Sequence, residues 1–311
     1  FLFATLILCL ILFGCSNNAL EHSDIEVELR VTKNLGEEVI FDQVINVQGD
    51  SSVLDILMDN LDVETAYGGG FINSIEGLES GFTEKRGNGK QKNDWFYFVN
   101  GTMSNIGSGE YILKSGDVVW WDYHSWDDTI FTPVVCGCFP QPFVNGFGNL
   151  EPQCTILYGE NFKEEAQNLK SYLEQQGVKD IDVGKYGEDD FQMEDKAYII
   201  LETSEKVANR PYWQNIIENR EKSGLFAKID HEGITGYDIW GKNTQTYEKE
   251  AGAVLVSGQG MGNPCSIWLF TAVEDGTLKE LIKEVIEDPA CLKNKAGAIY
   301  HGGEFIPLPL R

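Results

Sequence analysis

Residues 93–126 read NDWFYFVNGTMSNIGSGEYILKSGDVVWWDYHSW. Three strand-like runs lie here, Trp95–Val99, Tyr111–Leu113 and Val118–Tyr123, and turn dipeptides Asn100-Gly101 and Ser115-Gly116 fall between them. Four of the seven tryptophans are in this stretch: Trp95, Trp120, Trp121 and Trp126. Trp95 and Tyr97 are two apart and share a sheet face; Trp121 and Tyr123 repeat the relation, while Trp120 points to the other face with Asp122. One stripe is expected to pack on a helix. The other is expected to lie open or under a ligand; the competing reading makes every ring core or domain interface.

Upstream, Ile25–Val31 alternates apolar and polar with the period of a half-buried strand. Asn34-Leu35-Gly36 turns the chain and Val39–Val47 completes a hairpin. Ser52 and Asp55 have the spacing of a capping box, and Val53, Leu54, Leu57, Met58 and Leu61 recur at helical spacing. Hairpin, amphipathic helix and further strands, including Phe71–Ile75, are the order of a β-grasp-like α+β unit.

Downstream, residues 127–153 lose all periodicity. Prolines alternate with glycines and with Phe131, Phe139, Phe143 and Phe147, which are too apolar for a free linker. The second half then alternates strand and helix: Thr155–Tyr158, a helix with Phe162, Ala166, Leu169 and Leu173 on one face, Ala197–Leu201, and a helix near Pro211. Ala253–Val256 and Ile267–Val273 follow as strands, and a last helix opens at Thr277 and closes at Asp288-Pro289. The fold class expected is α+β, a β-grasp-like domain followed by a mixed α/β domain.

With 49 acidic and 24 basic residues the formal charge is −25. That disfavours nucleic acid, whose binding draws on basic surface, and electrostatic attachment to anionic lipid. Phe1–Phe13 is apolar and uncharged, too short to span a bilayer, and reads as the apolar region of a secretory signal. It ends Gly14-Cys15, followed by polar Ser16-Asn17-Asn18. This resembles the lipobox of bacterial lipoproteins, which implies acylation of Cys15 and a protein held by lipid on the extracytoplasmic face of the cell membrane. Besides Cys9 and Cys15 five cysteines remain, so one thiol stays free if the others pair.

The motifs make no positive case for catalysis. Gly258-Gln-Gly-Met-Gly262 is followed by Asn263-Pro264 and another strand run, so it lacks the helix a dinucleotide loop needs. Cys136-Gly-Cys138 has no second half of a zinc site nearby; a disulfide to Cys154 or an inert thiol is expected, with thiol-dependent chemistry as the weaker alternative. His22, His124, His231 and His301 are scattered, and the acidic run Glu188-Asp189-Asp190 is ordinary for so acidic a chain. The basic loop with Lys85, Arg86, Lys90 and Lys92 reads as a solvated loop or a contact for phosphate.

Gly68-Gly-Gly-Phe-Ile-Asn-Ser-Ile-Glu-Gly77, Asp94-Trp-Phe-Tyr-Phe-Val-Asn-Gly101, Ile106-Gly107, Tyr111, Lys114-Ser-Gly-Asp117 and the aromatic final strand resemble the transcobalamin-like C-terminal domain. The resemblance covers Ile25 to Asp128. In the animal cobalamin carriers this small β-domain closes over one face of the corrinoid, and bacterial lipoproteins also carry it. It implies cobalamin or a related corrinoid as ligand and delivery to a membrane uptake system, with no enzymatic activity. Aromatic walls would bury the apolar disc and turn amides would bond its amide groups. The residues placed at that site are Gly69, Gly70, Phe71, Trp95, Tyr97, Trp121, Tyr123, His124 and Trp126, with His124 as a candidate axial imidazole. No metal site of the protein's own is expected. The expected organisation is a signal peptide at 1–14, a lipidated tether at 15–24, the transcobalamin-like domain at 25–128, a linker at 129–152 and the α/β domain at 153–311. A surface module that binds glycan or protein through the aromatic stripe is the alternative.

Overall fold

The structure, a computed structural model, describes residues 24–66, 70–82, 90–150, 153–187, 196–242 and 244–311. The expectations for the signal, the tether, Cys15, Gly69, the basic residues at 85 and 86 and the acidic run at 188–190 lie outside these residues.

The chain forms an α+β structure with several sheets. In the first half, β1 (Asp24–Lys33) and β2 (Glu38–Gln48) make an antiparallel hairpin. Helix α1 (Val53–Asn60) follows, then β3 (Val63–Ala66), β4 (Phe71–Ile75), β5 (Leu78–Glu79), β6 (Asn93–Val99), β7 (Thr102–Met103) and β8 (Val118–Ser125). The main sheet has the order β2-β1-β8-β6-β7, with β1 and β8 parallel; β3, β4 and β5 form a small second sheet. Ser52 caps α1 as its sequence requires: its hydroxyl accepts from the Asp55 amide at 3.1 Å, and its own amide donates to the Asp55 carboxylate at 2.8 Å. The helix buries Val53, Ile56 and Leu57 against the sheet. Met58, expected on that face, is instead 52% exposed, because in so short a helix the i, i+3, i+4 set starting at Val53 meets the sheet. Tyr111–Leu113 is likewise no strand; Ile112 makes one isolated bridge to Ser52.

Residues 129–152 are more than a linker. They include a 3₁₀ turn at Cys136–Cys138 and a short helix α2 (Gln141–Val144), and Val135, Cys136, Cys138, Phe143 and Phe147 are buried.

The second half opens with β9 (Cys154–Tyr158), α3 (Lys163–Gln175), β10 (Ile181–Lys185) and β11 (Ala197–Thr203). Helices α4 (Ser204–Ala208), α5 (Pro211–Glu218) and α6 (Arg220–Ser223) lead to a three-stranded sheet of β12 (Ala227–Asp230), β13 (Gly233–Tyr237) and β14 (Thr244–Tyr247). The chain ends with β15 (Ala251–Gly258), β16 (Ser266–Ala272), α7 (Asp275–Glu287), β17 (Gly297–His301) and β18 (Glu304–Leu308). Its seven-stranded sheet runs β10-β9-β11-β16-β15-β17-β18; the first four strands are parallel and the rest pair antiparallel. Helices α3 and α7 bury Leu169, Leu173, Leu278, Leu281 and Val285 in the core on one face of this sheet. The glycine-rich stretch at Gly258–Gly262 is the turn from β15 to β16, as its sequence suggests.

One apolar core crosses between the halves. Leu35, Phe98, Met103, Val118 and Trp120 pack with Trp213, Ile234, Leu255, Ile299 and Leu308. The tip of the first hairpin inserts here. Asn34, Leu35 and Gly36 all have positive φ, and a Cβ on Gly36 would lie 2.1 Å from the Asn294 carbonyl oxygen, so glycine is required on both counts. The carboxylate of Asp122 holds the tip, accepting from the amides of Leu35 at 2.9 Å and Gly36 at 3.3 Å and from the Thr32 hydroxyl. Beside it the Lys293 ammonium spans Glu28 at 2.7 Å and Asp42 at 2.8 Å, and Arg30 donates to Glu28 and to the Gly137 carbonyl.

Candidate functional site

Strands β6 and β8 pair so that Trp95 faces Tyr123, Tyr97 faces Trp121 and Phe98 faces Trp120. On the side toward α1, Tyr97 stacks on Trp121 with centroids 4.8 Å apart, and Trp95 leans on Tyr123 at 5.2 Å. The Trp95 indole donates to the Leu78 carbonyl at 3.0 Å. The Tyr97 hydroxyl donates to the Ile106 carbonyl, and burial pushes its phenol up to about 12. Trp95, Tyr97 and Trp121 are therefore members of the core beneath α1. Among the described residues, the buried Nε1 of Trp121 finds no acceptor. Tyr123 is half-buried, and its hydroxyl donates to the Glu79 carbonyl at 3.0 Å.

The opposite side is covered too. Phe98 and Trp120 belong to the core shared with the second half, and Gly137 lies so close that a Cβ there would be 2.9 Å from the Trp120 ring. His124 is buried on this side, its ring stacked on Phe96 at 4.5 Å and its Nδ1 2.8 Å from Asp122. The expectation of an open aromatic face is thus corrected: packing beneath α1 takes one stripe and the second half takes the other. The His124 ring, expected as a candidate axial imidazole, is buried between Phe96 and Asp122.

Aromatic surface remains at the end of the sheet. Phe82 and Trp126 are each 37% exposed and meet edge to face at 5.1 Å. The Trp126 indole donates to Asp94 at 2.8 Å, and the other oxygen of Asp94 accepts from Ser80. Lys90 sits 4.3 Å from the Phe82 ring centre and Lys92 5.5 Å from that of Trp126, with Lys92 also paired to Asp127 at 2.6 Å. Tyr123, two residues before the end of β8, is on the α1 side of the sheet, against Trp95. Gly70 is an exposed turn residue and Phe71 a half-buried one at the start of β4. Of the sites read from sequence, Trp126 is at this ledge; Tyr123 is half-buried on the α1 side, and Trp95, Tyr97, Trp121 and His124 are inside the protein. Phe82 and Asp94 complete the ledge without having been singled out. Phe82 stands in an aperiodic segment, whereas Asp94 follows the rule that a fixed indole N–H needs an acceptor.

Cys136, Cys138, Cys154 and Cys291 are free thiols. The expected disulfide to Cys154 is not formed. Burial pushes Cys138 up to about 11 and Cys154 and Cys291 up to about 12, and it raises Cys136 further. They are held as thiols, the unreactive form. Among the described residues no group of three or more His, Cys, Asp or Glu side chains is placed to hold a metal ion, and no helix is long and apolar enough to cross a membrane.

No curated protein matches the chain. Among solved structures it is similar to haptocorrin in complex with Cbi, at 18% identity and a TM-score of 0.28, over 34% of this chain and 26% of that one. It is also similar to a putative metal binding protein from Ruminococcus gnavus ATCC 29149, at 16% identity and a TM-score of 0.24, over 33% of this chain and 99% of that one. Residues 50–125, from α1 to the end of β8, match a family described as a domain of unknown function, DUF4430.

Proposed function

We propose that this chain is a non-catalytic, lipid-anchored capture protein of the bacterial cell envelope, which takes up a corrinoid on the ledge of Phe82 and Trp126 for delivery to a membrane uptake system. The observation that carries the reading is the fixing of Trp126. Single exposed aromatics are ordinary on protein surfaces. This one has its N–H tied to Asp94 and its ring packed on Phe82, so little side-chain freedom is left to lose on binding. An amphipathic disc suits such a ledge, because the rings cover its apolar face while the Lys90 and Lys92 ammonium groups meet its polar rim. The resemblance of residues 25–128 to the transcobalamin-like domain supports the choice of ligand, and Gly14-Cys15 supports the anchor.

The ledge contacts a ligand from one side. The cavity in the seam measures ≈ 190 Å³, below the roughly 300–1,000 Å³ usual for a drug-sized ligand, so that cavity is too small for a corrin. That geometry also favours the second reading, stacking on a glycan. Titration calorimetry of the protein from Ser16 onward with cyanocobalamin, adenosylcobalamin and a panel of oligosaccharides separates the two. Corrinoid binding that Trp126→Ala weakens by about 1 kcal/mol, roughly fivefold, is the expected result. Heat with oligosaccharides alone moves the assignment to glycan, and no response to any corrinoid removes the ligand.

A further inference from the structure

The seam cavity is built from both halves. Asn34, Glu37 and Ser125 come from the first, and Asp238–Trp240 with Pro309–Arg311 from the second. Its volume, ≈ 190 Å³, exceeds the ~150 Å³ of a cavity that accommodates benzene, so it takes one ring with a few further atoms. Ile239, Pro309 and Leu310 supply apolar lining, and Trp240 offers a ring that is 48% exposed. The loop bearing Trp240 is held: the Asp238 carboxylate accepts the amides of Trp240 at 3.0 Å and Lys242 at 2.8 Å.

The charges around this cavity are opposite but do not pair with one another. The Arg311 guanidinium donates to the Gly36 carbonyl at 3.3 Å, and no ion pair among the described residues joins it to Glu37 or Asp238. Glu37 accepts from Asn34 at 3.1 Å on one oxygen. Asp238 takes both its loop amides on a single oxygen. Opposite charges that line one cavity without neutralising each other complement a small molecule carrying both signs. A carboxylate meets the guanidinium fork, and an ammonium meets the carboxylates or the face of Trp240. A ligand with one charge leaves the opposite wall unanswered.

We propose that the seam cavity binds a small zwitterion of amino-acid type, with its apolar part against Trp240, its carboxylate on Arg311 and its ammonium toward Glu37 and Asp238. The site is separate from the ledge and does not depend on the ligand assigned there. Because its walls come from both halves, the bound molecule also bridges them.

The test is titration calorimetry of the chain with L-phenylalanine, with 3-phenylpropanoate, which lacks the ammonium, and with 2-phenylethylamine, which lacks the carboxylate. The zwitterion is expected to bind about tenfold or more tightly than either single-charge analogue. Arg311→Gln should weaken L-phenylalanine and 3-phenylpropanoate but leave 2-phenylethylamine unchanged, a pattern that general loosening of the seam does not produce. Trp240→Ala should weaken all three. Equal affinity for 3-phenylpropanoate and L-phenylalanine overturns the zwitterion assignment. Absence of binding by all three, or L-phenylalanine binding that both substitutions leave intact, overturns the site.

Discussion

Replacing Asp122 with alanine is the most informative perturbation of the fold. The wild-type carboxylate is fully buried and accepts from Leu35 N, Gly36 N and the Thr32 hydroxyl, while facing His124 Nδ1. Truncation leaves two backbone amides and a hydroxyl without an acceptor in a water-poor seam. A buried donor left unpaired costs about 1–3 kcal/mol, and the hydroxyl can rotate toward another acceptor. The expected loss is therefore about 3–6 kcal/mol, a large share of the ~5–15 kcal/mol that holds a protein folded. Asp122→Asn keeps one oxygen for the amides but turns an NH₂ toward Thr32, whose oxygen already accepts from Trp120 at 2.7 Å; about 1–2 kcal/mol is expected. Urea unfolding at neutral pH, followed by circular dichroism, measures both. A loss below about 1 kcal/mol for the alanine variant, or equal losses for the two variants, would refute the reasoning.

Four further outcomes are expected. Burial would raise the Glu28 carboxyl, but the hydrogen bonds and charges of Arg30 and Lys293 outweigh it and bring it from 4.5 down to about 2; a lowered carboxyl contributes stability that is whole above pH 4.5 and lost as pH falls toward 2. Partial exposure limits this to about 1–2 kcal/mol, so Glu28→Gln should flatten the acid limb of stability against pH by that amount, and an unchanged limb counts against the network. Gly137→Ala places a Cβ 2.9 Å from the Trp120 ring and 3.0 Å from two backbone nitrogens, and should destabilise by about 1–3 kcal/mol in the same urea assay. Trp121→Phe removes an indole donor without an acceptor whereas Trp95→Phe strands the Leu78 carbonyl, so the Trp95 change should be the more damaging by about 1 kcal/mol in thermal melts. Alkylation of the native protein at pH 8 should leave Cys136, Cys138 and Cys154 unmodified by mass spectrometry, with labelling only after denaturation.

How far the sequence carried depended on what each signal measures. Alternation reports which residues share a face, and it placed Trp95 with Tyr97 and Trp120 with Asp122 correctly. It is silent on what covers a face. Phe98 and Trp120 read alike whether a ligand or the other half of the chain lies above them, so the open stripe was expected where the seam is. The capping box at Ser52–Asp55 was legible because it is local chemistry. The hairpin tip was legible as a turn, but its insertion was not, since nothing near Leu35 encodes contact with Asn294 or Leu308. Residues 227–247 went unread as strands because glycines and polar residues break their pattern, and their pairing depends on Ile229, Ile234 and Tyr247 reaching a distant core. The ledge was half legible: Trp126 stood out, while Phe82 gained meaning only from its neighbour.

The three left-handed residues at Asn34–Gly36 tie local backbone geometry to distant parts of the chain. A leucine at positive φ is unfavourable by itself. Its support comes from Asp122, 87 residues later in the chain, while the Asn294 carbonyl closes over the adjoining Gly36. The hairpin itself is a local pairing, but its tip is settled only by contacts of high sequence separation. Loss of the Asp122 carboxylate or crowding at Asn294 therefore reaches the first hairpin through its tip, although neither residue is near it in sequence.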